Sequence, residues 1–218
     1  MHKPKIIEKT VYFVRHGQSE ANVSHIFQPV DSPLTEVGKQ QAKQIAERIG
    51  KLSFETLIVS PFPRTKETAE CITQKTGKAP EYCDLFIERG KPSGLGGKSY
   101  DDPEADGLWK EWEHSLYTSG VRAGDGENFD DIIARADKAL DFLRQRKEKV
   151  LVVVTHGFFL RTIIARVILG TLLTPESFRN FHATVGMENT GLSVLTYGTV
   201  YEGTSWRLWI YNDHAHLG

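Results

Sequence analysis

The stretch TVYFVRHGQSEAN, residues 10–22, combines an apolar run with a polar end. Its β-branched and aromatic first half predicts a buried strand, which stops at Arg15 and His16. A second apolar run, residues 150–155, is followed in the same way by His156. Ligands of open α/β sheets bind outside the carboxyl ends of the strands. The two imidazoles are therefore predicted to face one pocket.

Strand and helix patterns alternate through most of the chain. Strand patterns occupy residues 11–14, 56–59, 150–155, 192–197 and 206–211, with a weaker one at 81–87. Helical patterns begin after N-cap residues or prolines, or follow the second apolar run, near Thr35, Pro63, Asn128, Phe158 and Thr174. The alternation predicts an α/β fold, a three-layer α/β/α sandwich whose mostly parallel central sheet carries helices on both faces. The last two strands are expected to pair antiparallel.

The chain is expected to form one domain. Its 218 residues can bury a substantial core and fit one α/β domain over residues 1–218. Residues 90–97 are rich in Gly, Pro and Ser and lack periodicity, and acidic residues mix with tryptophans over residues 101–126. The segment at about 89–127 is therefore predicted to be a lid or specificity insert.

The composition gives no reason to expect a nucleic-acid or membrane partner. Lys and Arg number 27 against 28 Asp and Glu, for a net charge of -1, so any affinity for anions must be local. Residues 1–9 lack the apolar core of a signal peptide, and no apolar run approaches the length of a membrane span. Cys71 and Cys83 lack Cys-x-x-Cys spacing and are expected to be reduced structural thiols. These features favour a cytoplasmic protein and leave its oligomeric state open.

Residues at predicted strand ends and helix starts have the chemistry of an anion site. They are Arg15, His16, Arg64 and His156. Guanidinium groups match phosphate or carboxylate oxygens, and helix N-termini add backbone donors. One imidazole, neutral near pH 7, supplies a nucleophile, and a second can donate to charge on the reacting group. The pattern predicts a pocket that both binds an anion and reacts with it.

Three ordered motifs resemble those of the histidine phosphatase superfamily, the phosphoglycerate-mutase-like proteins. The motifs are RHG at residues 15–17 with Asn22, SPxxRT at residues 60–65, and THG at residues 155–157. The LTxxGxxQA pattern at residues 34–42 and the Gly-Glu pair at 126–127 are also similar to segments of that family. A lone RHG would be a weak signal, whereas three motifs in this order are specific.

The resemblance implies a role for each matching residue. His16 would attack phosphorus in line and become phosphohistidine. The residues that would bind the phosphoryl oxygens are Arg15, Asn22, Arg64 and His156. The FIE segment at residues 86–88 resembles the family's Leu-x-Glu, so Glu88 would protonate the leaving oxygen and later activate water. The resemblance implies no metal and no cofactor.

The segment after Glu88 leaves the substrate open. RGKPS at residues 89–93 replaces the Gly…Glu-Gly continuation of the mutase and sugar-bisphosphatase branches. Substitutes for the general acid are Asp84, Glu104 and Glu127. Lys91 or Lys98 could reach a remote anion of the substrate. Trp109 and Trp112 are expected to be packing residues, and lining a substrate mouth is their alternative role.

The remaining motifs predict no second chemistry. GLGGKS at residues 94–99 ends like a P-loop, but Pro92 stands where that motif requires glycine, so a nucleotide triphosphatase is not expected. The other histidines lack metal-ligand spacing; they are His2, His25, His114, His182, His214 and His216. Of these, His182 alone merits further attention.

The sequence thus predicts a metal-independent phosphatase that hydrolyses a small phosphorylated substrate through phosphohistidine on His16. One alternative is a cofactor-dependent phosphomutase of the phosphoglycerate mutase type, which would also form phosphohistidine but would exclude water. A second alternative is a module that binds a phosphorylated ligand without turnover.

Overall fold

The computed structural model of the chain describes residues 6–24, 27, 30–200 and 203–218. In this part of the chain the strands are β1 (Ile6–Arg15), β2 (Thr56–Val59), β3 (Pro80–Tyr82), β4 (Val150–Thr155), β5 (Leu192–Val200) and β6 (Gly203–Asp213). The helices are α1 (Glu20–Val23), α2 (Glu36–Ile49), α3 (Pro63–Thr76), α4 (Pro103–His114), α5 (Phe129–Gln145), α6 (Gly157–Leu169) and α7 (Pro175–Thr184). His2 and His25 lie outside the described residues.

One mixed sheet of six strands, counted over the described residues, organises the fold. Its order is β3-β2-β4-β1-β5-β6. The first four strands in this order pair parallel, and β5 pairs antiparallel with both β1 and β6. The predictions of a mostly parallel sheet and of a terminal antiparallel pair are confirmed. As a result, the carboxyl ends of β1, β2 and β4 lie side by side.

Alternate side chains of β4 build a core on each face of the sheet. Leu151 and Val153 belong to a cluster with side chains of α5 and α6. Val152 and Val154 belong to a second cluster with side chains of α2 and α3. All four are fully buried, as expected for a parallel strand covered on both faces. The predicted three-layer α/β/α arrangement is therefore confirmed.

Side-chain caps fix where the helices begin. The Thr35 hydroxyl accepts the N–H of Gly38 at 3.0 Å at the start of α2. At the start of α5, Asn128 and Asp131 form a reciprocal capping box with distances of 2.9 and 3.2 Å. Each bond satisfies a backbone donor that the helix itself leaves unpaired. Both predicted N-caps are confirmed.

The strand predicted at residues 81–87 is wrong over most of its length. Strand β3 ends at Tyr82, and a single 3-10 turn follows at Asp84–Phe86. The carbonyl groups of this segment bond to side chains instead of to a sheet: Leu85 and Ile87 accept from Arg135 at 3.1 and 2.8 Å. The chain thus turns out of the sheet and brings Glu88 toward the carboxyl ends of the strands.

Most members of a third apolar cluster lie in the segment predicted as an insert, and Phe27 completes the cluster. Its members are Phe27, Leu95, Ala105, Trp112 and Ala123. The segment includes a 3-10 turn at Ser93–Leu95 and helix α4. Within the described ranges, no helix is both long and apolar enough to cross a membrane.

Candidate active site

The predicted site residues meet because their strands are neighbours. Arg15 at the end of β1 is paired in register with Thr155 at the end of β4, so His16 and His156 leave the sheet together. Their ring centroids lie 5.1 Å apart. Arg64 lies in the first turn of α3 and donates from Nε to His16 Nε2 at 3.2 Å. The predicted proximity of these side chains is therefore observed, but of the two imidazoles only that of His16 lines the polar cavity that the described residues define.

Hydrogen bonds define the tautomer of His16. Its Nδ1 lies 2.6 Å from the carbonyl oxygen of Gly17, which can only accept, so Nδ1 carries the proton. Nε2, facing the Arg64 N–H, is then the unprotonated nitrogen. A neutral Nε2 lone pair is the form of histidine that can act as a nucleophile.

The environment keeps both site imidazoles neutral. Burial, together with the charges of Arg64 and Arg15, holds the pKa of His16 well below its usual value. Burial and the charge of Arg64 do the same to the pKa of His156. His16 is only 3% exposed and His156 is fully buried. Both rings are therefore uncharged at neutral pH.

His156 lies next to His16 but is not among the residues that line the polar cavity around Arg15, His16 and Arg64, as the described residues define that cavity. Its Nε2 shares a 2.7 Å hydrogen bond with the Ser60 hydroxyl, and its ring packs on Phe62 with centroids 5.1 Å apart. Its buried Nδ1 has no hydrogen-bond partner among the described residues. An unpaired buried nitrogen is costly, so a ligand atom at Nδ1 would relieve that cost.

Arg64, which is buried, and Arg15, which is partly buried, are cations that form no ion pair with a carboxylate among the described residues. Arg15 donates to the Met187 carbonyl, while its Nε is without a partner in the described structure. Arg64 is 4% exposed and donates from Nη1 to the Val30 carbonyl at 3.2 Å. Burial lowers the pKa of both guanidinium groups. Desolvated cations of this kind favour binding of an anion.

Glycine at position 157 leaves room for Arg15. A Cβ atom at this position would lie 2.9 Å from Arg15 Nε and 3.3 Å from its Cζ. These distances are shorter than ordinary van der Waals contacts. The glycine of the THG motif therefore lets the guanidinium lie at the N-terminus of α6.

A polar cavity of about 250 Å³ holds the predicted phosphate-binding groups. Its walls include Arg15, His16, Asn22, Arg64, Glu88 and Arg161. Asn22 is held in place because its Oδ1 accepts from the Ser19 N–H at 2.9 Å and from the Ser19 hydroxyl at 3.1 Å. Three guanidinium groups and a carboxamide can satisfy the oxygens of one phosphate group.

Arg161 was not predicted from the sequence as a residue of the site. Position 161 follows Gly157 by one helical turn, and its Nη1 donates to the carbonyl groups of His182 and Val185 at 3.1 and 2.9 Å. The available signal was that Arg161 is the only charged residue between positions 157 and 165. A lone cation in the first turns of an otherwise apolar buried helix indicates an anion nearby.

Glu88 lies where the polar cavity meets a second cavity. Its Oε1 accepts the N–H of Phe159 at 3.0 Å and its Oε2 accepts that of Phe158 at 3.3 Å, so the carboxylate occupies the N-terminus of α6. Glu88 lines both cavities. As the described residues define these cavities, neither is lined by the substitute acids, which are Asp84, Glu104 and Glu127.

Glu127 instead binds Arg135 and the backbone next to Glu88, and so supports the segment that carries Glu88. Its carboxylate forms two 2.7 Å bonds with the Arg135 guanidinium and accepts the Gly90 N–H at 2.7 Å. Arg135 also donates to the Glu88 carbonyl at 3.3 Å. The pair thus fixes the backbone on both sides of the candidate acid.

The second cavity has a volume of about 380 Å³ and a mostly apolar surface, to which six aromatic side chains contribute. Its walls include Phe27, Phe62, Tyr100, Trp109, Trp112 and Phe158. Both tryptophans therefore pack in the insert and also line this cavity, and their contact with a substrate stays a prediction.

The two candidate lysines have different positions. Lys91 lines the aromatic cavity, where burial and the charge of Arg64 lower its pKa to about 8. Lys98 instead lies 3.4 Å from Asp102 and 3.8 Å from Glu104. Lys91 is therefore the candidate for contact with a substrate.

His182 packs between aromatic rings outside both cavities as the described residues define them. Its ring centroid lies 4.1 Å from that of Phe158 and 4.4 Å from that of Phe178. Burial and the charge of Arg161 lower its pKa to about 3. Among the described residues, no group of three or more His, Cys, Asp or Glu side chains is placed to hold a metal ion.

Comparisons with known proteins agree with this geometry. The sequence model of the histidine phosphatase superfamily (branch 1) matches residues 11–213. The chain is 32% identical over 165 residues to the probable phosphoglycerate mutase GpmB of Enterobacter sp. strain 638. This match covers 72% of this chain and 74% of that protein.

Solved structures show the same fold. A mycobacterial glucosyl-3-phosphoglycerate phosphatase is 25% identical with a TM-score of 0.70, over 94% of this chain and 98% of that one. The α-ribazole phosphatase of Shigella flexneri, at 19% identity and a TM-score of 0.77 over 94% and 96% of the two chains, shares the fold alone. The chain therefore belongs to the histidine phosphatase superfamily.

Proposed function

We propose that this chain is a metal-independent phosphatase that hydrolyses small phosphate monoesters through a phosphohistidine on His16. The observation that supports it best is the neutral Nε2 of His16, which lies in a cavity with the guanidinium groups of Arg15, Arg64 and Arg161. A pocket that only bound an anion would not need a desolvated nucleophile oriented by a backbone carbonyl group.

The proposed reaction has two steps. In the first, Nε2 of His16 attacks phosphorus, the bond from phosphorus to the ester oxygen breaks, and Glu88 gives its proton to the departing alcohol. In the second, water attacks phosphorus, the bond from phosphorus to Nε2 breaks, Glu88 takes a proton from that water, and inorganic phosphate leaves. His16 regains its lone pair, so the cycle closes.

The other polar side chains around the cavity bind and stabilise the phosphoryl group in this proposal. The groups that bind the equatorial oxygens are Arg15, Arg64, Arg161 and the carboxamide of Asn22. The positive charges of the guanidinium groups stabilise the negative charge on the phosphoryl group while it is transferred. His156 donates from its unpaired Nδ1 to a phosphoryl oxygen when that nitrogen carries the proton.

The second cavity favours a phosphatase over a phosphomutase. A mutase acting on phosphoglycerate would need polar groups for a carboxylate; Lys91 is such a group, but most of the surface of the cavity beside Glu88 is apolar. We further propose that the chain is one cytoplasmic domain in which residues 89–127 act as a specificity insert. The unpaired thiols of Cys71 and Cys83 support the cytoplasmic location.

The test is to trap and identify the phosphoenzyme. Wild-type protein and His16→Ala are mixed with a phosphate ester, quenched at alkaline pH, and analysed by mass spectrometry. We expect phosphate on His16 in the wild type, and neither phosphoprotein nor released phosphate with His16→Ala. Transfer of the phosphoryl group to an added organic acceptor, in preference to water, would establish the mutase instead. Phosphate binding with no turnover across a broad ester panel at pH 5 to 8 would establish the non-catalytic module.

A further inference from the structure

The aromatic cavity and the polar cavity share part of their walls. Arg64, Glu88 and Phe158 line both spaces. A phosphate group held by the arginines therefore has its ester oxygen near Glu88 and its organic group directed into the aromatic space. This geometry follows from the proposed function, on which the inference rests.

The aromatic wall is a set of rings in mutual contact. Ring centroids lie 4.5 Å apart for Phe27 and Tyr100, 5.3 Å for Phe27 and Trp109, and 5.2 Å for Trp109 and Trp112. Tilted and edge-to-face contacts at these distances are favourable and hold each ring in place. The wall is therefore formed before any ligand enters.

Arg89 packs against one end of this wall and uses its guanidinium in hydrogen bonds within the insert. Its guanidinium lies 3.6 Å from the centroid of the Trp112 ring. It also donates to the carbonyl groups of Trp112 and Glu127 and to the Glu113 carboxylate. The cation thus anchors Trp112 to the insert and leaves aromatic surface facing the cavity.

The volume of the second cavity matches a ring-containing organic group. About 380 Å³ lies within the range of cavities that hold small organic ligands, which are mostly apolar with a few placed polar groups. Two of its polar wall residues, Arg64 and Glu88, also line the polar cavity. The other polar residues of its wall are Arg89, Lys91, Ser93 and Glu113. A compact polar leaving group would leave most of the aromatic surface in contact with water.

We propose that the substrates are phosphate monoesters whose alcohol carries an aryl or comparably extended apolar group, bound against Trp109 and Tyr100. The chemical class is set by the wall; the phosphate is the part that all substrates share. Burial of one phenyl ring in such a cavity is expected to raise kcat/KM by roughly 10- to 100-fold.

A matched pair of esters tests this assignment. Propyl phosphate and 3-phenylpropyl phosphate have the same kind of leaving oxygen and differ in one phenyl ring. We expect the wild type to prefer the phenyl ester by roughly 10- to 100-fold in kcat/KM and Trp109→Ala to lose most of that ratio. The control Trp209→Ala removes a 60% exposed tryptophan from β6 and should keep the ratio.

The outcomes separate this inference from the proposed function. Turnover of both esters with a ratio near one, or an unchanged ratio in Trp109→Ala, overturns the aromatic assignment and leaves the phosphatase standing. Absence of turnover and of phospho-His16 with either ester overturns both. Should Trp109→Ala fail to fold, as judged by its thermal transition, Tyr100→Ala at the 42% exposed end of the wall gives the same comparison.

Discussion

At Gly157, one hydrogen atom in place of a methyl group leaves the room that Arg15 occupies on the wall of the polar cavity. In Gly157→Ala the new Cβ would approach Arg15 Nε to 2.9 Å, so the guanidinium must move. Loss of a charge-assisted bond to phosphate is expected to weaken binding of inorganic phosphate by roughly 10- to 100-fold. The dissociation constant from isothermal titration calorimetry measures this effect.

The matched control for that substitution is Gly107→Ala. A Cβ at this exposed position of α4 would meet no described atom within 4 Å. Its phosphate affinity should equal that of the wild type. If Gly157→Ala also bound phosphate with wild-type affinity, Arg15 would not be a phosphate ligand.

For Glu88, the decisive comparison is between good and poor leaving groups. A general acid contributes roughly 10²- to 10⁴-fold where the leaving alcohol is basic, and far less for p-nitrophenolate. Glu88→Gln should therefore lose kcat mainly on an alkyl phosphate and form phospho-His16 readily from p-nitrophenyl phosphate. Glu104→Gln, whose carboxylate is 91% exposed, should behave as the wild type with both esters. Equal losses of Glu88→Gln on both esters would assign the proton to another group.

Single residues explain both what the sequence revealed about the site and what it concealed. His16, Arg15 and Arg64 are recognisable because their motifs place them at strand ends and helix starts. Arg161 was hidden in an apolar helix, and its position in the cavity depends on how α6 faces β1. That information is tertiary, so helical periodicity alone does not supply it.

On the scale of elements, α5 supports the segment that carries Glu88. Arg135 of α5 bonds to three carbonyl groups between Leu85 and Glu88 and to the Glu127 carboxylate. Arg135→Met should therefore displace Glu88 and reduce kcat on alkyl phosphates by roughly 10- to 100-fold, with a smaller loss on p-nitrophenyl phosphate. Arg135→Lys keeps the charge but not the fork and should recover only part of the activity.

The control on the same helix is Arg144→Met. Arg144 forms an exposed ion pair with Asp141 at 3.1 Å, away from the cavities. Exposed pairs of this kind contribute little, so kcat on both esters should stay at the wild-type level. A uniform loss of Arg135→Met on both esters would indicate a general structural role rather than positioning of the acid.

The same element explains the wrong prediction for residues 81–87. The apolar residues Leu85, Phe86 and Ile87 fit a strand pattern, yet their carbonyl groups bond to Arg135 and Thr155. These partners are 48 to 69 residues away along the chain. A local pattern could not distinguish burial in a sheet from burial under α5.

At the scale of the whole molecule, the layers were predictable because β4 is apolar on both sides and helices alternate with strands. The aromatic cavity was not, because it is formed jointly by the insert, Phe27 and the start of α6. In the sequence, Trp109 and Trp112 indicate only that apolar surface of the insert will be covered. Only the fold shows that part of it remains as a cavity beside Glu88.

Stability of the whole fold should fall as the solution becomes acidic, because several imidazoles are buried uncharged. The pKa of His182 is lowered from 6.5 to about 3, since burial between Phe158 and Phe178 disfavours its charged form. Below pH 6.5 His182 binds a proton in the unfolded chain, whereas in the folded chain it stays neutral down to about pH 3. Its contribution to the free energy of unfolding is therefore fully present above pH 6.5 and is lost as the pH falls. Between pH 7 and pH 5 the loss from His182 is about 2 kcal/mol.

His182→Leu removes the titrating imidazole and keeps an apolar side chain in the space between Phe158 and Phe178. Urea unfolding of the wild type and the variant at pH 7 and pH 5 should show a pH-dependent loss of unfolding free energy that is smaller by about 2 kcal/mol in His182→Leu. Part of the loss should remain, because His16 and His156 are also buried and their pKa values are lowered. His214→Leu removes an exposed histidine near the C-terminus and should keep the wild-type difference. If His182→Leu kept it as well, the unfolding equilibrium would not be linked to the protonation of His182, and burial of a neutral imidazole between α6 and α7 would not explain the acid sensitivity of the fold.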